Sequence, residues 1–192
     1  PNIRELVSQG RDGFTILQTI LSPALKQAGD LYENNVYFLP QLILAAEAME
    51  TASRVVVAAD DVEKQSGAKA RIVLATVRGD LHDIGKNIVN LVLRNSGFDV
   101  IDMGQNADAL VIIDKAREEG ASVIGLSSLM TTTLDEMQAV IDLKNKKAPE
   151  IKVIVGGAAV SPGFASEIGA DAYGKDAMDA VRQVRKILGD KG

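Results

Sequence analysis

The sequence predicts a bundle of four short helices in residues 1–64, followed in residues 65–192 by an α/β domain with a five-stranded, doubly wound parallel sheet. Three observations predict it. In the first third, apolar residues recur with a helical rhythm. From Ala70 onward, short β-branched runs alternate with amphipathic stretches, strand then helix, five times over. Between the two regimes, Glu63–Lys69 is polar and small, as a linker would be.

In the first part, Phe14, Ile16, Leu17, Ile20 and Leu21 make a broad apolar stripe, and Pro23 breaks that helix or starts a new one. Glu33-Asn34-Asn35 reads as a turn or helix end. Pro40 suits the first turn of a further helix, which carries Leu42, Ile43, Ala45, Ala46, Met49 and Ala52 to about Ala58. In the second part, Arg71–Thr76 is a short β-branched, apolar run that suits a buried parallel strand. A helix over about Ile84–Asn95 is stopped by Gly97. Phe98–Asp102 is the next strand, and Ala107–Glu119 the next helix, ended by Gly120. Ser122–Leu126 and a helix over Leu134–Lys144 follow. Ile151–Val155 is the fourth strand, then Gly156-Gly157 and a short helix near Pro162–Ile168. Ala172-Tyr173 is a weak fifth strand and Ala177–Leu188 the closing helix. Short connections imply right-handed crossovers, the arrangement of flavodoxin- and Rossmann-like domains. Ligands of such sheets sit outside the carboxyl ends of the strands. The loops after Thr76, Leu126 and Val155 are therefore the ones to read for chemistry.

Composition narrows the chemistry. Of 192 residues, 46% are hydrophobic and 24% charged, enough apolar material for a sizeable core. The formal net charge is −5, and no basic stripe offers itself to a nucleic acid. No apolar run approaches the roughly 20 residues that span a bilayer, so a cytoplasmic protein with no membrane partner is expected. The chain begins at Pro1 and not Met, so a few natural N-terminal residues are expected to be missing. Zero cysteines exclude disulfides and thiolate chemistry, and a single histidine excludes a multi-histidine metal site.

That histidine lies in the first of the three loops, Gly79-Asp80-Leu81-His82-Asp83-Ile84-Gly85. A neutral imidazole ligates a transition metal well when its other nitrogen donates to a carboxylate, which Asp80 could supply. One protein ligand holds a free ion poorly, so His82 makes better sense if the metal brings its own macrocycle. The plainer alternative is that His82 caps or solvates the helix start and Asp80 or Asp83 is its N-cap. In the second loop, Ser127-Ser128-Leu129-Met130-Thr131-Thr132-Thr133, small hydroxyl residues either donate to a polar ligand or cap a helix. In the third, Gly156-Gly157 either admits a long ligand between strand ends or is a simple turn.

Together the three loops resemble the cobalamin-binding domain of methionine synthase and of corrinoid methyl-carrier proteins. The family's pattern is D-x-H-x-x-G, then S-x-L, then G-G. Here it is Asp80, His82 and Gly85, with Gly79 and Asp83 in the same loop, then Ser127 and Leu129, then Gly156 and Gly157. Phe38-Leu39-Pro40-Gln41-Leu42 stands where the family's helical cap has a similar run, so the resemblance covers nearly the whole chain. It implies that His82 displaces the dimethylbenzimidazole of cobalamin and becomes the lower cobalt ligand, with Asp80 hydrogen-bonded to it. The displaced nucleotide tail would pass Ser127, Leu129, Thr131, Gly156 and Gly157, with Tyr173 and Ala177 near its far end. Tyr32 and Leu39 would cover the reactive upper face.

The resemblance further implies a methyl carrier that is not catalytic alone. Its partners would be a substrate-specific methyltransferase that loads the cobalt and a second methyltransferase, using a pterin or thiol acceptor, that unloads it. Methanol, methylamines, glycine betaine and aryl methyl ethers are candidate donors. A subunit of an adenosylcobalamin mutase shares D-x-H-x-x-G but usually lacks a preceding helical module. A cobalamin-sensing regulator would want a basic DNA-binding element. A metal-free flavodoxin-like domain would leave the three motifs and the cap run unexplained.

Overall fold

The computed structural model describes residues 2–34, 36–60 and 70–189. The proposed linker Glu63–Lys69 and the turn residue Asn35 lie outside the described residues. The chain divides into two compact units, Pro1–Lys64 and Gln65–Gly192.

The helical unit contains α1 (Ile3–Ser8), α2 (Gly13–Ile16), a π turn (Leu17–Leu21), α3 (Ser22–Glu33) and α4 (Leu39–Asp60). A reciprocal cap opens α1: Asn2 accepts from the Glu5 amide at 3.0 Å, and Glu5 accepts from the Asn2 amide at 3.1 Å. Four α-helices are present as expected, but not all are short: α2, the π turn and α3 follow one another without a break over residues 13–33, and α4 extends over 22 residues. Pro23 sits in the first turn of α3 without breaking the path. Proline cannot donate to the turn behind it and crowds the carbonyl four residues back, and the wider π turn just before it relieves both conflicts. α4 packs against α1, α2 and α3, burying Leu6, Ile16, Leu17, Leu21, Ala28, Met49 and Val56. Tyr32, Val36, Phe38, Ile43 and Leu44 remain exposed.

The α/β unit runs β1 (Arg71–Thr76), α5 (Ile84–Asn95), β2 (Asp99–Asp102), α6 (Ala109–Glu118), β3 (Val123–Ser127), α7 (Leu134–Lys147), β4 (Lys152–Gly156), α8 (Pro162–Glu167), β5 (Ala172–Gly174) and α9 (Ala177–Ile187). The five strands are all parallel, in the order β2-β1-β3-β4-β5. Alternate residues of the central strands, Val73 and Ala75, Ile124 and Leu126, Val153 and Val155, enter one core with Ile112, Ile113, Met137 and Ile141 of α6 and α7. Each buried valine, leucine, isoleucine and methionine among them contributes about 1.5–3 kcal/mol by burial. α5 and α9 pack on each other. α6 starts at Ala109 and not at Ala107, because Ala107 instead bridges to Val77 and lengthens the sheet edge.

One polar anchor was not visible in the sequence. The Lys86 side chain, 2% exposed, pairs with Asp102 at 2.5 Å and donates to Asn87 at 2.9 Å. Asn90 donates to the same carboxylate at 3.2 Å. The pair fastens α5 to the end of β2, because a buried ammonium needs an acidic partner. The topology reverses between β1 and β3, so the loops that follow these two strands flank the crevice where such sheets hold ligands.

Candidate functional site

The loop between β1 and α5 turns sharply at Gly79, whose φ is +81°. A side chain there would be strained, and its Cβ would lie 3.3 Å from Thr133 Cγ2. The turn sends Asp80 inward and His82 outward. Asp80 is fully buried. Its Oδ1 accepts from the His82 amide at 2.9 Å and meets His82 Nδ1 at 2.8 Å, where the ring N–H donates. Its Oδ2 accepts from the Leu129 amide at 2.7 Å, with the Thr133 hydroxyl at 3.5 Å. Burial pushes the Asp80 carboxyl up. The His82 and Leu129 amides, then the His82 ring, pull it down by more, so it ionises below its ordinary value. The His82 side chain remains 53% exposed. With Nδ1 committed to Asp80, Nε2 is the nitrogen that can ligate.

This arrangement decides against the capping alternatives. Asp83 occupies the cap position of α5 but makes no side-chain cap bond, and Asp80 spends both oxygens elsewhere. Thr133 precedes α7 and also makes no cap bond. Its hydroxyl instead meets Ser128 Oγ at 2.8 Å and shares its one proton between the Met130 carbonyl at 3.0 Å and Asp80 Oδ2 at 3.5 Å. Of the three threonines, Thr133 is the one brought to Asp80, whereas Thr131 is exposed. No spacing rule singled out Thr133.

The other expected residues of the α/β unit lie at or just after the carboxyl ends of β1, β3, β4 and β5. Ser127 pairs in register with Thr76 on one side and Gly156 on the other. Leu129 is exposed. Gly157 has φ +121°, and a Cβ there would lie 2.0 Å from the Ser128 carbonyl oxygen. A Cβ on Gly156 would lie 2.9 Å from the Gly174 oxygen. Close backbone approach therefore accounts for both glycines within the protein itself. Gly85 differs, since its Cβ would meet nothing within 4 Å, so tight helix–strand packing does not explain it. Tyr173 in β5 is half-buried, and Ala177 opens α9 behind the capping Asp176. Tyr32 ends on the exposed side of α3, and Leu39 is the first residue of α4, both in the helical unit.

Among the described residues no group of three or more His, Cys, Asp or Glu could hold a metal ion. A metal at His82 must bring the rest of its coordination, as a corrin ring does. Two buried acceptors near the loop ends, Asp83 Oδ1 and Gln105 Oε1, have no hydrogen-bond partner in the protein. They suit a ligand with amide donors at its periphery, as corrinoids have. No described helix is long and apolar enough to cross a membrane.

Comparison with known proteins agrees. Two family profiles, both described as B12 binding domain, match residues 70–182 and 1–56. The chain is 40% identical over 178 residues to dimethylamine corrinoid protein 3 of Methanosarcina acetivorans, covering 90% of this chain and 82% of that one. It is 34% identical to trimethylamine corrinoid protein 1 of the same organism, over 96% of this chain and 87% of that one. Among solved structures, the monomethylamine corrinoid protein of Methanosarcina barkeri superposes with a TM-score of 0.78 at 28% identity, covering 96% of this chain and 88% of that one. A chain of the methanol:cobalamin methyltransferase complex MtaBC from Methanosarcina barkeri gives 0.63 at 26% identity, over 97% of this chain and 78% of that one. The chain thus belongs to the B12-binding family of methyltransferase-associated corrinoid proteins, and its cofactor is a corrinoid.

Proposed function

We propose that this protein carries a methyl group between two methyltransferases in a methylamine-using system, with His82 as the protein's ligand to the corrinoid cobalt. The observation that carries the ligand assignment is the Asp80–His82 pair: a buried carboxylate fixes Nδ1 at 2.8 Å while the rest of the ring stays exposed. The methylamine class follows the names of the relatives, which are corrinoid proteins for dimethylamine and trimethylamine. When bound, the corrinoid supplies a cobalt that accepts a methyl group and gives it up again.

The chain's own residues do the rest. Asp80 orients the imidazole, and the Leu129 amide and Thr133 hydroxyl hold Asp80 in turn. Gly79 and Asp83 shape the loop, and Gly85, in the first turn of α5, has open space beside it where a large ring would fit. Ser127, Leu129, Thr131, Gly156 and Gly157 would hold the cofactor's nucleotide tail, with Tyr173 and Ala177 toward its far end. Tyr32 and Leu39 are assigned to the reactive face by resemblance alone. One partner loads the carrier from a methylamine, and a second unloads it to a pterin or thiol acceptor.

The test mixes the reduced, corrinoid-loaded protein with a dimethylamine methyltransferase and with dimethylamine. Monomethylamine should appear only when both proteins are present. Demethylation of methanol or an aryl methyl ether but of no amine, each offered with its own methyltransferase, would remove the methylamine assignment.

A further inference from the structure

We infer that Asn106 is a positioning residue for the cobalt-ligating histidine, acting through the Gly79-Asp80 peptide; the inference rests on His82 being the ligand. Asn106 lies on the loop that follows β2, beside the loop that follows β1. Its backbone N–H donates to the Asp80 carbonyl at 3.0 Å, and its side-chain Oδ1 accepts from the Gly79 N–H at 2.8 Å. One residue thus grips two consecutive residues of the histidine loop, using main chain and side chain together. The neighbouring bonds continue the grip. Thr76 N–H donates to Gly104, and Ala107 N–H donates to Thr76, each at 3.0 Å.

The conformation of Asn106 is itself unusual. It is the only described residue other than glycine with positive φ, at 55°. Asparagine tolerates this left-handed region better than most residues. Glycine would tolerate it too but would lose the acceptor. Aspartate would keep both. Only a residue that supplies left-handed backbone and a short acceptor can make the two bonds at once, which separates Asn106 from an ordinary turn residue.

Another tie to the loop is weaker. Arg78 reaches Glu136 at 3.0 Å and Asp108 at 3.4 Å, but its side chain is 58% exposed, and exposed ion pairs contribute little. The hydrogen bonds of Asn106 go to Gly79 and Asp80 and not to His82. Its effect passes through Asp80, whose carboxylate holds His82 Nδ1 two residues farther on. A loosened Asp80 main chain would let that carboxylate wander, and the imidazole with it.

The probe is cobinamide, a corrinoid without the nucleotide base, whose affinity reads the His82–cobalt bond without a competing base. Its Kd is measured for the full chain, for Asn106→Gly, for His82→Ala and for the double variant. Asn106→Gly should weaken binding about three- to tenfold, the loss set by one hydrogen bond. It should have no further effect when His82 is already alanine, and Asn106→Asp should bind as the natural chain does. Equal weakening in both backgrounds means a general structural role and overturns the inference, as does no weakening at all. If His82→Ala binds cobinamide as tightly as the natural chain, the ligand assignment fails first and takes this inference with it. Hydrogen exchange of the cofactor-free natural chain gives a check that needs no variant. The exposed Gly79 amide should exchange slowly, and exchange at the rate of an unbonded amide would also overturn the inference.

Discussion

In the helical unit, the side-chain hydrogen bonds described, from Asn2 and Glu5 to Glu47 and Thr51, join residues three or four positions apart. In the α/β unit they reach from Arg71 to Glu119, from Arg78 to Glu136 and from Asp80 to Leu129. The first unit is shaped by helix propensity and an apolar stripe, and it leaves Tyr32, Val36, Phe38, Ile43 and Leu44 exposed. Specific long-range bonds shape the second unit, and they concentrate where the histidine loop meets the loops after β2 and β3. Local bonding tolerates substitution on the surface. A buried carboxylate with four partners does not.

Substitutions can break or sharpen this contrast. The largest effect is expected at Lys86. Lys86→Ala leaves Asp102 without its cation and should cost the α/β unit roughly 3–5 kcal/mol in urea unfolding. An unchanged midpoint would mean that the buried pair does not anchor α5 to β2. Gly157→Ala comes next, at about 1–3 kcal/mol from backbone strain, because a Cβ would also meet the Ser128 carbonyl oxygen.

Two threonines of one loop give a sharper comparison. Thr133→Val removes the hydroxyl that serves Ser128, Met130 and Asp80 and should cost about 1–2 kcal/mol. Thr131→Val should stay within about 0.5 kcal/mol. Equal costs in thermal unfolding would erase the distinction between them.

A smaller effect depends on pH. The folded-state pKa of Asp80 lies below its unfolded value, so its ionisation favours folding at pH values above the unfolded pKa, about 3.9. That contribution is lost as pH falls through the lower, folded-state value. The stability gap between the cofactor-free natural chain and Asp80→Asn should therefore narrow below about pH 4. A gap that widens there would reverse the sign. The smallest effect belongs to the helical unit, where Phe38→Ser on the exposed surface should shift stability by no more than about 0.5 kcal/mol.

Periodicity made most of the fold legible. Arg71–Thr76 became β1 with the predicted bounds, and Gly97 and Gly120, both at positive φ, follow α5 and α6 as stop signals should. Pro23 stands in the first turn of α3, as the reading that it starts a new helix expected, but the π turn that joins α3 to α2 without a break was not legible, because no proline rule speaks of it. At the site, Asp80 and His82 were legible because their bond spans two residues. Thr133 and Asn106 were not. They reach Asp80 across 53 and 26 residues of chain, and only the order of the strands brings them together.

The most direct test of the central claim is the visible spectrum of the protein loaded with methylcobalamin, recorded beside that of His82→Ala. In the natural chain the cofactor's own base should be displaced while its cobalt keeps a nitrogen ligand, and that ligation should be absent from the variant. Tight binding with identical spectra in both proteins would contradict the assignment of His82, and failure of the natural chain to bind any corrinoid would contradict the whole reading.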